Sequence, residues 1–239
     1  MFQSKKNSFS ALILAGGMSS RTGGISKQQY LLLDIPVVVR SIMAFEACTA
    51  CREILVVSRA DECPLYAGFK DQYGLKKLIG VVPGGATRQE SAFIGMEQLP
   101  DAEYIAIHDA ARCLILPEQI EKIFKAAKKY RSAAAACPAV DTVKQVDRAG
   151  KTLPGEQLRR DDLRCMQTPQ IFYADLYRAA AYTAKEEGFT GTDDCSLLER
   201  VGFGVHTVDC GSENMKITSP TDFIIAEAIL KQRLAPKED

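Results

Sequence analysis

Glycines and cations crowd together in the segment Leu14-Ala-Gly-Gly-Met-Ser-Ser-Arg-Thr-Gly-Gly-Ile-Ser-Lys27. Gly16, Gly17, Gly23 and Gly24 let backbone N–H groups turn inward on an anion, and Ser19 and Ser20 add hydroxyl donors. Arg21 and Lys27 flank them, and no Asp or Glu occurs in the first 30 residues. That polarity suits a polyphosphate. A flexible surface turn is the alternative, but the position directly after an apolar strand favours phosphate binding. The spacing matches neither GxxxxGK[ST] nor GxGxxG, so a Walker-type NTPase and a dinucleotide-dependent oxidoreductase both lack their signature.

Three further segments join this loop. Ile107-His-Asp-Ala-Ala-Arg112 sets an acid just past an apolar run, where a divalent cation is commonly held against nucleotide phosphates. Arg112 suits a second anion, although an Asp that begins a loop is equally a turn residue. Val82-Pro-Gly-Gly-Ala-Thr-Arg-Gln-Glu-Ser91 reads in two ways. It is either a plain strand-to-helix connection or a close backbone approach to a flat base through Gly84 and Gly85, with Ser91 reading the base edge. Met166-Gln-Thr-Pro-Gln170, Thr192-Asp193-Asp194 and Asn214-Met-Lys-Ile-Thr218 are polar interruptions at element ends. Thr192-Asp-Asp also fits a helix cap. Lys216, set between Met215 and Ile217, must carry its ammonium to an edge or to a ligand anion.

Other chemistries are excluded by what the chain lacks. With His108 and His206 as its two histidines, it cannot build a site from several imidazoles, and it has no GxSxG elbow. Thirty Lys+Arg against thirty Asp+Glu argue against a duplex nucleic acid as partner, which would need a basic excess. No apolar run approaches bilayer-spanning length, and residues 11–15 are too few for a signal-peptide core, so no membrane role and a cytoplasmic location are expected. Eight Cys in a chain of 239 residues, long enough to need no staples, read as reduced thiols. Cys48-Thr-Ala-Cys51 is a lone CxxC at the end of a helical pattern and reads as packing.

The elements that must position these groups follow from periodicity. Residues 10–15, 53–58, 78–82, 104–107 and 133–137 are short buried runs, hence strands. Segments 36–48, 88–99 and 117–130 have helical spacing, and in the last Ile120, Ile123, Phe124 and Ala127 share one face. Strands alternating with helices predict an α/β fold with a mainly parallel twisted sheet and helices on both faces, its ligands at the carboxyl ends of the strands. The rhythm breaks after Pro138. Residues 139–166, with β-like 141–147 and a turn at 148–150, read as an antiparallel arm projecting from a main domain of 1–138 and 167–239. Helices at 174–187, 193–201 and 220–234 and strands at 205–208 and 215–218 complete the reading.

Seven blocks in this order resemble the 2-C-methyl-D-erythritol 4-phosphate cytidylyltransferases: Leu-Ala-Gly-Gly…Ser-Arg…Lys-Gln, Gly-Gly-Ala-Thr-Arg-Gln-Glu-Ser, His-Asp-Ala-Ala-Arg, Pro-Ala-Val-Asp-Thr-Val-Lys, Gln-Thr-Pro-Gln, Thr-Asp-Asp and Asn-Met-Lys-Ile-Thr. The resemblance covers about residues 11–229. It implies a nucleotidyltransferase, Rossmann-like fold whose β-arm interlocks two subunits. It also implies CTP and a phosphorylated polyol as substrates and Mg²⁺ as cofactor. Carried over by position, Ala15, Gly17, Gly85, Arg88 and Ser91 would surround CTP. Arg21, Lys27 and Lys216 would be catalytic, and Asp109 would hold the metal. Arg112, Thr142, Thr192 and Lys216 would line the phosphosugar side, with Arg160 and Thr168 reaching from the arm into the partner's site.

Two departures from the family pattern stand out. Cys113 replaces the usual Pro, which would loosen that loop. Arg21 and Lys27 are six positions apart instead of seven, so Gln28-Gln29-Tyr30 aligns in two registers, and charge favours Lys27 over Gln28. The alternatives are a ribitol 5-phosphate cytidylyltransferase of the same fold and a non-catalytic nucleotide-binding paralogue.

Overall fold

The computed structural model describes residues 7–17, 27–155 and 158–235. In chain order its strands are β1 (Phe9–Leu14), β2 (Leu31–Leu32), β3 (Ile35–Pro36), β4 (Cys51–Ser58), β5 (Leu78–Pro83), β6 (Tyr104–Asp109), β7 (Ser132–Pro138), β8 (Arg164–Tyr173) and β9 (His206–Asp209). Seven of them form one sheet ordered β5-β4-β1-β6-β8-β7-β9, while β2 and β3 pair with each other. Within the large sheet, β8 runs antiparallel to both of its neighbours and the remaining pairings are parallel.

Residues on β1 alternate between two cores: Phe9, Ala11 and Ile13 face one, Leu12 and Leu14 the other. Burial on both faces is why the strand reads as an unbroken apolar run. Helices α1 (Val37–Ala47), α2 (Cys63–Gln72) and α4 (Pro117–Tyr130) pack on the first face. On the second lie α3 (Arg88–Glu97), α5 (Ala174–Glu186) and α6 (Cys195–Arg200). The last helix, α7 (Pro220–Leu234), covers a smaller cluster in which Leu32, Ile217, Phe223 and Cys113 are buried. Cys113 is thus a packed residue at the place where a loosened loop is expected. The four apolar residues of α4 singled out by spacing are the four it buries.

Helix α3 starts at a capping box in which Thr87 and Glu90 satisfy each other's backbone N–H groups. It lies so close to the sheet that a Cβ on Gly95 would run into Leu12 Cδ1 and come within 2.8 Å of Val57 Cγ2. Gly95→Ala should therefore destabilise the fold by about 1–3 kcal/mol through overpacking, read as a lower denaturation midpoint at unchanged m-value.

Four features depart from the sequence reading. β8 is a full strand in the body of the sheet, although Met166 to Gln170 reads as a polar interruption. Its glutamines are satisfied inside the protein: Gln170 Oε1 accepts the N–H groups of Asp194 and Cys195, so polarity there does not signal a loop. Residues 215–218 are not a strand; Ile217 N–H bonds the carbonyl of Ala111 instead of joining a ladder. Helix α2 occupies a stretch that the reading leaves unassigned, since it buries only Tyr66 and Phe69 and so has little periodic signal. The arm holds one isolated bridge, Val146 to Thr152, closed by a turn with Gly150 at φ +84°. Its described residues 140–155 are exposed.

The chain passes from β1 to β4 and β5 on one side, then returns to place β6 on the other. Strand order reverses between β1 and β6, and at such a point the carboxyl ends part to leave a crevice. Leu14 and Asp109 are register partners across it, bringing the glycine loop beside the acid of the His-Asp-Ala-Ala-Arg block.

Candidate active site

Asp109 ends β6 and stands between two cations. Its Oδ1 accepts from Arg88 Nε at 2.9 Å and its Oδ2 from Lys216 Nζ at 2.6 Å. Burial alone would raise the carboxyl, but these neighbouring charges outweigh it and hold the group far below the usual carboxylate range. Arg88 comes from the first turn of α3 and also donates through Nη1 to Asp194 at 2.7 Å. Asp194 is in turn fixed by the Tyr177 hydroxyl at 2.8 Å and by Gln170 beneath its backbone N–H. Arg88→Met would leave the Asp194 carboxylate, 1% exposed, without its cation. The expected loss is about 3 kcal/mol of stability in chemical denaturation.

These three charges form a wall shared by two clefts. The first, about 310 Å³, is lined by Gly16, Gly17, Lys27, Gln28, Gly85 and Ser91. Lys27 is buried, and its Nζ lies 3.6 Å from where a Gly17 Cβ would stand, so its ammonium is held against the glycine loop. Gly84 and Gly85 are required by local packing: a Cβ on either would come within 2.5 Å of Ser91 Oγ or Glu90 Cβ. The second cleft, about 350 Å³, is lined by Arg112, Gln167, Thr168, Thr192 and Asp193. There Arg112 donates to the carbonyls of Asn214 and Met166, while its Nε is buried with no hydrogen-bond partner among the described residues. The guanidinium of Arg112 as a whole lines this cleft and places a positive charge on its wall, as an anion site requires.

A cavity of about 470 Å³ adjoins the first cleft at Gly85 and Thr87 and runs between α3 and α5, lined by Phe93, Ile94, Ala181 and Leu197. Its lysine, Lys185, lies 4.3 Å over the Phe93 ring. It lacks the converging cations that phosphates need.

Most of the residues carried over from the resemblance meet here. Gly17, Lys27, Gly85, Arg88, Ser91, Asp109 and Lys216 line the first cleft, and Ala15 lies buried at the root of its loop. Arg112, Thr168 and Thr192 line the second, which Lys216 also enters. Arg21 lies outside the described residues. Thr142 and Arg160 are exposed on the arm and enter neither cleft of their own chain, and Arg160 donates to the Val140 carbonyl at 3.3 Å. Thr168 does not project with the arm; it is buried in β8 opposite the end of β6. The sequence reading missed Tyr177, Gln170 and Asp194 as supports of Arg88. The Thr-Asp-Asp block carried a signal for Asp194, but nothing local marks Tyr177.

Comparison with known proteins identifies the family and the fold. The family model for 2-C-methyl-D-erythritol 4-phosphate cytidylyltransferase matches residues 9–232. Relatives bearing that name include a Bacillus cereus protein, 35% identical over 93% of this chain and 97% of its own, and a Pelotomaculum thermopropionicum protein, 37% identical over 93% and 94%. Among solved structures, a 4-diphosphocytidyl-2C-methyl-D-erythritol synthase from Anaerococcus prevotii superposes with a TM-score of 0.83 at 28% identity, covering 95% of this chain and 97% of that one. The 2-C-methyl-D-erythritol 4-phosphate cytidylyltransferase of Thermus thermophilus gives 0.74 at 27% identity, covering 94% and 99%.

Proposed function

The chain belongs to the 2-C-methyl-D-erythritol 4-phosphate cytidylyltransferase family, a family of nucleotidyltransferase enzymes, and we propose that its two clefts divide that reaction between them. CTP occupies the first, with its triphosphate on the glycine loop and Lys27. Methylerythritol phosphate occupies the second, with its phosphate on Arg112 and Lys216. The observation that carries this reading is the shared wall of Arg88, Asp109 and Lys216, where the two phosphates must meet.

A sugar-phosphate oxygen attacks the α-phosphorus of CTP. The new P–O bond forms as the α–β anhydride breaks, and its electron pair leaves with pyrophosphate. A phosphate monoester has its second pKa near ~6, so the nucleophile is already ionised at neutral pH and needs no general base. The histidines support this. Burial drives the His108 pKa down to about 3, and both its ring nitrogens face protein groups. His206 stacks on Tyr130 outside both clefts. What remains is relief of anion–anion repulsion and stabilisation of the pentacoordinate centre by fixed cations.

Mg²⁺ fits the wall. A single carboxylate with phosphate oxygens and water is the usual donor set for that ion, and Asp109 keeps lone pairs beyond those facing Arg88 and Lys216. Asp109 would hold it, and the ion when bound would neutralise phosphate charge. We further propose a homodimer. The arm exposes Val140, Val143, Val146 and Leu153 and is too thin to bury them itself, which supports a second copy of the chain as their partner. In that dimer Thr142 and Arg160 would approach the site. A reducing cytoplasm suits the eight unpaired cysteines, and no helix among the described residues is long and apolar enough to cross a membrane.

Incubation with CTP, Mg²⁺ and methylerythritol 4-phosphate should yield a cytidine diphospho-product and pyrophosphate, both visible by phosphorus NMR. Ribitol 5-phosphate should give far less. Equal turnover of ribitol phosphate would reassign the substrate, and no product from either would overturn the reading.

A further inference from the structure

Lys216 reaches the wall from residues 211–218, which form neither helix nor strand, so no regular ladder fixes where its ammonium stands. Two buried amides tie this segment down instead. Asn214, 0% exposed, donates from its single Nδ2 to Gln167 Oε1 and to the Thr168 carbonyl, both at 3.0 Å. Gln167, itself buried in β8, donates from Nε2 to the Gly211 carbonyl at 3.0 Å. Beyond Lys216, Ile217 N–H bonds the Ala111 carbonyl at 2.9 Å.

The direction of each bond follows from chemistry. The carbonyls of Thr168 and Gly211 only accept, so the nitrogen of each amide must face them. Gln167 then turns its oxygen to Asn214, whose second Nδ2 proton fills it. Reversing Asn214 would set its oxygen against two oxygens. Position 214 therefore needs two protons on one atom, which an amide supplies and a carboxylate of the same shape does not. Arg112 is fastened at the same seam. Its Nη1 donates to the Asn214 carbonyl at 2.9 Å and its Nη2 to the Met166 carbonyl at 3.3 Å, one on each of the segments that the amides join.

We propose that Asn214 and Gln167 are positioning residues, whose clasp between β8 and residues 211–218 aims Lys216 and Arg112 before the substrates arrive. Cations already in place stabilise a transition state without reorganising during the reaction. Asn214 lines neither cleft and has no exposed surface, so its effect on turnover reaches the substrates only through the groups it holds. The kinetic consequence rests on the cytidylyltransferase reading; the clasp does not.

The test has a substrate-free arm and a kinetic arm. In the ligand-free wild-type protein, nitrogen-15 NMR should show both Nδ2 protons of Asn214 in slow exchange with solvent. Rapid exchange would overturn the clasp. Asn214→Asp keeps the shape and removes both donated protons. Backbone hydrogen exchange should then quicken across residues 211–218 while α4 exchanges as in the wild type. In the kinetic arm, Asn214→Asp should lower kcat about tenfold to a hundredfold, as small misplacements of catalytic groups do, with KM for CTP changed by no more than about threefold. A folded variant with wild-type kcat would sink the proposal, and so would faster exchange spread evenly over the whole fold, which marks a merely structural role. Gln167→Met deletes the other half of the clasp without adding charge. It is read by the same criteria and decides the case if Asn214→Asp does not fold. A wild-type protein that forms no product would overturn the functional reading, while the exchange arm would still decide the clasp.

Discussion

Lys216→Met should lower kcat by roughly 10²–10³, the size of effect seen when one donor to a developing oxyanion is removed. Methionine keeps the unbranched stem and loses the ammonium, which lies 2.6 Å from Asp109 and opens on both clefts. Because the charge acts most strongly on the pentacoordinate centre, kcat and kcat/KM should fall together for both substrates. A rise in KM with kcat preserved would assign Lys216 to ground-state binding only. Lys27→Ala should behave in the same way at the CTP side. Gln28 lines the same cleft, with Oε1 buried and lacking a hydrogen-bond partner among the described residues, so it is the proper comparison. Gln28→Ala should leave turnover near that of the wild type, because an amide brings no charge to the transition state. Survival of turnover in Lys27→Ala and its loss in Gln28→Ala would transfer the role to Gln28.

Mixing two inactive subunits should regenerate activity. Arg160 is exposed on the arm and contacts no cleft of its own chain, whereas Lys27 lines the cleft of its own chain. In a homodimer whose sites draw Arg160 from the partner, Arg160→Ala and Lys27→Ala subunits mixed one to one produce heterodimers with one doubly damaged and one intact site. Random assortment leaves about a quarter of all sites intact. Against parents that retain no more than roughly a hundredth of wild-type turnover, such a gain is large. Native mass spectrometry verifies the mixed dimers. Verified heterodimers without recovered turnover would exclude a site shared between subunits.

Much of this architecture is legible in the chain itself because local signals and global fold agree. The apolar runs of β1 and β6 and the periodicity of α4 are strong enough to place the sheet and its helices, and the glycine loop, Asp109 and Arg112 follow at strand ends. Where local and tertiary forces diverge, the reading fails. Lys216 alternates with Met215 and Ile217 as if in a strand, yet the residue serves as an ion-pair partner on a loop held to Ala111. The polar run of β8 is stable in the sheet's interior only because Asn214, Asp193 and the Asp194 backbone satisfy its side chains from distant parts of the chain.

Composition and residue order by themselves point to a charge-driven chemistry on phosphates: few imidazoles, no nucleophile elbow, and cations beside glycines after buried strands. They could not say which cations share an anion. Tertiary structure alone decided that Asp109 is gripped by Arg88 and Lys216, and that Arg88 is braced by Asp194 and Tyr177. The physical reason is range. Strand and helix patterns arise from neighbours a few residues apart, whereas the partners in this wall are 21 and 107 positions from Asp109 and meet only after the sheet has closed around its switch point.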